Sequence, residues 1–489
     1  MADTERIEIT RYTVASAVER ALGVLASKLA DDVQQALVCA YAAEQNPQAK
    51  CALGQLCQNA AIAAQNDVPL CQDCGYVWVC LEIGPDVQLA GDVFADVNGV
   101  VAACYKAQGL RMSMVCDAFG NRANSTDNTP AFCEVHFSDV PGQAQLHVML
   151  KGGGSDNASR VIMLEPGKGR AGIKDAVLAC VREKGANACP PLTVGIGIGA
   201  TFDKVGGLAK QALLRPVGTR HADAHVAAFE EELLDAINAS GVGAAGLGGN
   251  HTALDVHIET APCHIAAMPV AINLGCNSLR RMSIDLLSGV STPSFAGVAG
   301  VPGAQGDEAG AQADAGRALS LPLTPEDVQS LRAGDVVTLS GSLYTLRDAG
   351  HMRLLDELNE QGSLPYGLAG QTIFYCGPSP ARGNQPFGAC GPTTASRMDF
   401  AAPALYGAGI VATIGKGRRS ADVQQACATQ QAVYFTCTGG AAALLARCVK
   451  SAQLIAYGDL GTEALRRLEV ESFPCVVAID AFGGNIYDD

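Results

Sequence analysis

Alanine, leucine and valine recur at helical spacing between positions 14 and 41, so residues 12–65 read as helices, with Pro47 interrupting the pattern. From 76 to 150 the texture changes to β-rich segments broken by turns. Residues 145–150 are a strand candidate that runs out into Lys151-Gly152-Gly153-Gly154-Ser155, and 171–183 return to a helical pattern. Val194-Gly195-Ile196-Gly197-Ile198-Gly199 alternates strictly, as a strand under close packing does. A further apolar strand candidate lies within 260–275 and stops at Cys276.

The pattern breaks at 302–317. This run of glycine, alanine and short polar residues has no period and reads as an exposed linker. Beyond it, Thr324-Pro325-Glu326-Asp327 has the form of a helix start, with threonine as cap, proline in the first turn and acids after it. Residues 336–346 then read as strands, and short apolar strands follow at 372–376, 409–414, 432–437 and 475–479, several separated by helical stretches. A chain of 489 residues exceeds what one hydrophobic core usually serves. The expected architecture is α+β and α/β: a helical and mixed-sheet N-terminal domain over 1–301, a linker over 302–317, and a smaller C-terminal α/β domain over 318–489.

Composition narrows the function. Hydrophobic residues make up 48% and charged ones 17%, which is globular. The net charge of −15 argues against a nucleic-acid partner, yet leaves room for a small anionic ligand held by a few buried arginines. No run of 18 apolar residues suggests a membrane span, and Met1-Ala2-Asp3-Thr4-Glu5-Arg6 does not open a secretion signal, so a cytoplasmic protein is expected. Most of the nineteen cysteines sit in apolar runs and read as small buried hydrophobes of a reduced protein; the remainder are candidate metal ligands.

Three cysteines lie at turns marked by glycine or proline, or at a strand end. Cys71 opens Cys71-Gln72-Asp73-Cys74, Cys189 precedes Pro190-Pro191, and Cys276 closes an apolar strand. Together they fit a cluster held by three thiolates with one iron left open as a Lewis acid. Alone, the C-x-x-C pair is also compatible with a redox dithiol or half of a zinc site. Far along the chain, Gly391-Pro392-Thr393-Thr394 is followed by Arg397-Met398-Asp399, which offers hydroxyls and a guanidinium. Gly415-Lys416-Gly417 lacks the spacing of a nucleotide loop.

With these residues in view, the chain resembles the class I fumarases, the iron–sulfur hydro-lyase family that also includes L-tartrate dehydratase and mesaconase. The N-terminal part resembles the family's α region through Pro69-Leu70-Cys71-Gln72-Asp73, the 151–155 glycine run, Cys189-Pro190-Pro191, and His264 ahead of Cys276. The C-terminal part resembles its β region through Arg347-Asp348-Ala349, the 391–399 motif, Ile414-Gly415-Lys416-Gly417, Gly439-Gly440-Ala441-Ala442 and Phe473-Pro474.

The resemblance implies a [4Fe-4S] cluster on Cys71, Cys189 and Cys276, in a site at the domain interface. It implies Thr393 as the group exchanging the carbon-bound proton, with Asp73 coupled to it. Gln72, Arg111, Gly153, Gly154, His264, Arg347, Arg397 and Lys416 would hold a small dicarboxylate. It also implies a homodimer that hydrates fumarate to (S)-malate, with hydration of mesaconate to (S)-citramalate or dehydration of L-tartrate as alternatives. An iron–sulfur redox protein and a zinc protein are the rivals from other classes. Cys74 departs from the family's usual threonine and raises a question of alternative ligation, as Cys263 does more mildly. Arg347 as a surface ion pair, Arg111 as a strand cap, His264 as a core histidine and Thr393 bonded to its own turn are the structural readings that stand beside these roles.

Overall fold

A computed structural model describes residues 7–298, 316–383 and 385–488, so the candidate linker lies outside the described residues except for its last two. The helical start of the chain is three helices, Arg11–Leu25, Asp31–Ala43 and Pro47–Asn66. Pro47 opens the third of these. Its missing N–H costs nothing in a first turn, and Asn46 caps the helix by accepting from Ala49 N–H at 3.0 Å.

The strands of this part are β1 (Ile7–Ile9), β2 (Tyr76–Ile83), β3 (Val87–Leu89), β4 (Phe132–Phe137), β5 (Ala144–Lys151), β6 (Arg160–Leu164), β7 (Leu192–Ala200), β8 (Ala253–Cys263), β9 (Met268–Gly275), β10 (Arg280–Asp285) and β11 (Ser291–Thr292). β1 pairs with β3. The two larger sheets run β11-β10-β5-β2-β4 and β6-β9-β7-β8, and both mix parallel and antiparallel pairs. Val77, Val79 and Leu81 point from β2 into a core closed by helices Arg11–Leu25 and Val97–Ala107. The second of these helices lies where the sequence reads as strands and turns. Its valines favour strand locally, but Val97, Val101, Cys104 and Tyr105 fall on one helical face, and burying that face decides the outcome. In β7 the glycines serve close packing as expected: a Cβ on Gly195 would lie 2.2 Å from the Ala209 carbonyl of helix Val205–Ala212.

The C-terminal part carries β12 (Arg317–Leu321), β13 (Val336–Thr345), β14 (Thr372–Phe374), β15 (Ala412–Gly415), β16 (Val433–Thr436), β17 (Val449–Ala456) and β18 (Leu465–Ile479). β12 to β16 are parallel in that order. β18 runs antiparallel to β16 and β17 and pairs also with β13, so β13–β16 and β18 close on themselves. Alternate residues feed two cores, Phe374, Ile414 and Phe435 in one and Ile373, Tyr375 and Tyr434 in the other. Burial on both faces is why these strands read as short continuous apolar runs. Helix Pro325–Ser330 has the expected start, with a reciprocal capping box between Thr324 and Asp327.

The two parts meet along helix Pro47–Asn66. Asn59 accepts from the N–H of Ala443 and Leu444, and Thr438 donates to Gln55.

Candidate active site

One cavity of about 100 Å³ lies between these parts. Its N-terminal wall begins where helix Pro47–Asn66 ends with Asp67 in a left-handed conformation. Leu70 is buried and pinned on both sides of its peptide, its N–H donating to Ala26 O and its carbonyl accepting from Asn59. That anchors the loop that presents Cys71, Gln72 and Asp73 to the cavity. Asp73 accepts from the N–H of Gly75 at 3.2 Å and of Gly153 at 2.9 Å, and pairs with Arg111 at 3.5 Å. Burial would raise this carboxyl, but Arg111, Arg280, the Gly75 N–H and Lys416 outweigh it and hold Asp73 below the ordinary aspartate range. Cys189 follows a short 3₁₀ turn, and Cys276 follows β9 directly.

The C-terminal wall is built from strand ends. Residues 391–394 lie between the ends of β14 and β15: Thr393 N–H donates to Tyr375 O at 2.7 Å, and Lys416 N–H donates to Thr393 O at 3.1 Å. Gly391 and Gly439 permit the approach of the opposite wall. A Cβ at 391 would lie 2.2 Å from Gln72 Oε1, and one at 439 would lie 2.6 Å from Cys189 Sγ. A 3₁₀ turn, Ala395–Met398, then turns Arg397 to the cavity. The rest of the motif is structural, with Met398 in the core and Asp399 binding Arg419 at 2.6 Å and the Ser420 N–H at 2.7 Å. Thr393 is buried, and its hydroxyl has no hydrogen-bond partner among the described residues, so it is not spent on its own turn.

The cavity is strongly cationic in an acidic protein. Arg111 donates to the Gly377 carbonyl at 2.8 Å, and the same glycine backs onto the Arg347 guanidinium. Arg347 is largely covered, its side chain 12% exposed, and pairs with Glu463 at 3.4 Å and Asp348 at 3.6 Å rather than standing on the surface. Its Nε is buried without a hydrogen bond. Burial and the neighbouring Arg111 and Arg397 lower its proton affinity, a strain that an anion between them would relieve. The Arg397 fork is taken by Asp348, with both oxygens bound at 2.9 and 2.7 Å. Lys416 Nζ reaches Cys189 Sγ at 2.6 Å and Asn187 O at 3.0 Å.

Cys71, Cys189 and Cys276 all line this cavity. Burial pushes the Cys71 thiol up to about 12 and raises Cys276 as well, so a bound cation is what would hold these sulfurs as thiolates. Among the described residues, the three sulfurs do not form a group with all ligand atoms within 4.8 Å. A single tetrahedral zinc with Zn–S near 2.3 Å would need them roughly 3.8 Å apart. The three sulfurs as placed are thus not gathered around one such ion.

Most of the expected residues converge here: Cys71, Gln72, Asp73, Arg111, Gly154, Cys189, Cys276, Arg347, Thr393, Arg397 and Lys416 line the cavity, and Gly153 touches Asp73. His264 does not. It is exposed in the turn between β8 and β9, where its Nδ1 accepts from Ala266 N–H, so it is neither a core histidine nor part of this chain's own cavity. Cys74 turns into the hydrophobic core, where its sulfur accepts from Arg111 N–H at 3.2 Å. Cys263 is exposed.

Arg280 is the residue that sequence reading passed over. It is buried, lines the cavity, donates to Asp73 O at 2.7 Å and keeps its Nε unpartnered. Its charge is held, against burial, by Cys71, Cys276 and Cys74. The available signal was an arginine four residues after Cys276, at the start of strand β10.

Comparison with known proteins gives the class: this is a hydro-lyase. Residues 15–285 match the family described as fumarate hydratase (fumerase), and 304–489 match the fumarase C-terminus. The chain belongs to the class I fumarase family. Over 266 residues it is 38% identical to a putative L(+)-tartrate dehydratase subunit alpha of Methanocaldococcus jannaschii, covering 53% of this chain and 93% of that one. It is 28% identical to a putative class I fumarate hydratase of Geobacillus stearothermophilus, covering 95% of this chain and 93% of that one. It is 29% identical to the anaerobic class I fumarate hydratase of Escherichia coli, covering 88% and 82%. Among the described residues no helix is long and apolar enough to cross a membrane.

Proposed function

We propose that the chain hydrates fumarate reversibly to (S)-malate in the cavity between its two parts, with the division falling at 302–317. The observation that carries this reading is the convergence of three thiols, Asp73, the free Thr393 hydroxyl and a set of cationic side chains on one small space. Cys71, Cys189 and Cys276 would hold a [4Fe-4S] cluster, which supplies a Lewis acid for the substrate hydroxyl when bound. Arg111 and Arg347 take one carboxylate between them, and Arg397 takes the other once Asp348 yields its fork. Lys416, Gln72 and the backbone at Gly153 and Gly154 complete the cradle.

Thr393 exchanges the proton at the carbon beside a carboxylate. A threonine hydroxyl is a poor base in water, so its proton must pass to an ionised neighbour, and Asp73 is held in that state by its cationic surroundings. His264 binds substrate in this scheme only from a second copy of the chain, which makes the active form a homodimer.

A second reading is dehydration of L-tartrate, favoured by the higher identity of the N-terminal part to the tartrate dehydratase relative. The test is kcat/KM for fumarate, mesaconate and L-tartrate on anaerobically reconstituted protein. The proposal expects fumarate to lead. Tartrate leading selects the second reading, and turnover of none of the three by protein with an intact cluster refutes both.

A further inference from the structure

Away from the cavity, the five-stranded sheet carries a second group of metal-ligating side chains on the face opposite its valine core. Cys80 of β2 stands directly across from Glu134 of β4, with His136 two residues further along β4. Cys80 lies four residues into β2, roughly 13 Å along the strand from its start. The thiol, a carboxylate oxygen and a ring nitrogen of these three all lie within 4.8 Å of one another.

Both polar ligands are oriented from behind. Trp78 Nε1–H donates to Glu134 Oε1 at 2.7 Å, which leaves Oε2 to face His136 Nε2 at 3.6 Å. The other ring nitrogen of His136, Nδ1, lies 2.5 Å from Gln211 Nε2. A half-turn of that amide exchanges its nitrogen for its oxygen. With the oxygen there, Nδ1–H donates to Gln211 and Nε2 presents its lone pair. This is how metal-bound histidines and carboxylates are usually held by their outer partners.

The spacing also says what is missing. At 3.6 Å, the Glu134–His136 contact is too long for a charge-assisted hydrogen bond, which runs about 2.7–2.9 Å. The Cys80 sulfur is buried and has no hydrogen-bond partner among the described residues. Three donors thus point at one space without satisfying one another.

We propose that Cys80, Glu134 and His136 bind a borderline-soft divalent cation of the zinc class. The donor set of sulfur, nitrogen and oxygen selects against calcium and magnesium, which take oxygen ligands. A fourth position opens to solvent past Glu134 and His136, whose side chains are 41% and 32% exposed. The ion would tie β4, an edge strand that among the described residues pairs with β2 alone, to the sheet, and through Gln211 to helix Val205–Ala212.

The test is equilibrium dialysis of the cluster-loaded enzyme against Zn²⁺, followed by metal analysis. The expected result is one zinc per chain beyond the iron, with affinity lowered about tenfold or more in His136→Gln and in Cys80→Ser while iron and sulfide stay unchanged. If the buried Cys80→Ser chain fails to fold, His136→Gln, at a partly exposed side chain, decides alone. No stoichiometric zinc, or zinc bound equally well by the variants, overturns the proposal.

Discussion

The two walls of the cavity are built on opposite plans. The N-terminal wall carries soft donors and a carboxylate whose partners are already in place, since Asp73 is held by Gly75, Gly153 and Arg111. The C-terminal wall carries hard donors left partly open: the Thr393 hydroxyl without a partner, the Arg347 Nε without a hydrogen bond, and an Arg397 fork lent to Asp348. On the proposed function, the first wall would hold an inorganic group and the second would receive an organic one. Neither is a site alone, and glycines at 391 and 439 allow the contact between them.

Substitutions that act on one wall should therefore fail in different ways. The largest effect is expected on the thiols. Cys276→Ser should lose the iron and all turnover, whereas Cys74→Ser, three residues from a proposed ligand but facing the core, should keep four irons per chain. Iron and sulfide counts on the anaerobic proteins decide this, and a Cys74→Ser chain unable to hold the cluster would contradict the division of roles.

On the other wall, Arg347→Met should cost about a hundredfold in kcat/KM, because a largely buried guanidinium proposed to face the substrate carboxylate has no replacement. Arg397→Met, at a half-exposed fork, should cost roughly tenfold. Both should leave the cluster spectrum intact. Equal losses, or a lost spectrum, would erase the contrast.

A smaller effect concerns the helix behind the cationic wall. His351 is fully buried, its ring bonded to the Arg347 carbonyl, and burial lowers it to about 4. The unfolded chain, with histidine near 6.5, takes up this proton first. Its contribution is full above that value and is lost as pH falls toward 4. Unfolding free energy should drop by about 2 kcal/mol between pH 7 and pH 5 from this group. Urea titrations of wild type and His351→Gln should differ in slope over that interval; parallel curves would show that the ring does not titrate there.

Much of this was legible in the chain. The short apolar strands of the C-terminal part, the capped helix at Thr324 and the glycine strand β7 follow from local pattern. Closure of β13–β16 by β18 does not, because it depends on pairings between strands far apart in sequence. Helix Val97–Ala107 was obscured by its valines, whose preference was overridden by packing. Within the cavity, motif residues with side chains at turns were readable. Arg280 was hidden because nothing in its local sequence, Arg280-Arg281-Met282, gives a reason for burial; the reason is its place beside Cys71, Cys74 and Cys276. His264 shows the converse, a motif residue that the fold leaves exposed and away from the cavity.

The central claim is that the cluster and the proton-transfer group sit on different walls and can be separated. The most direct measurement compares wild type and Thr393→Ala for two quantities on the same anaerobic samples: the iron–sulfur absorption spectrum and the rate of fumarate hydration. The account predicts an unchanged spectrum with turnover lowered by about 10² to 10⁴. An altered spectrum, or turnover near that of wild type, would contradict it.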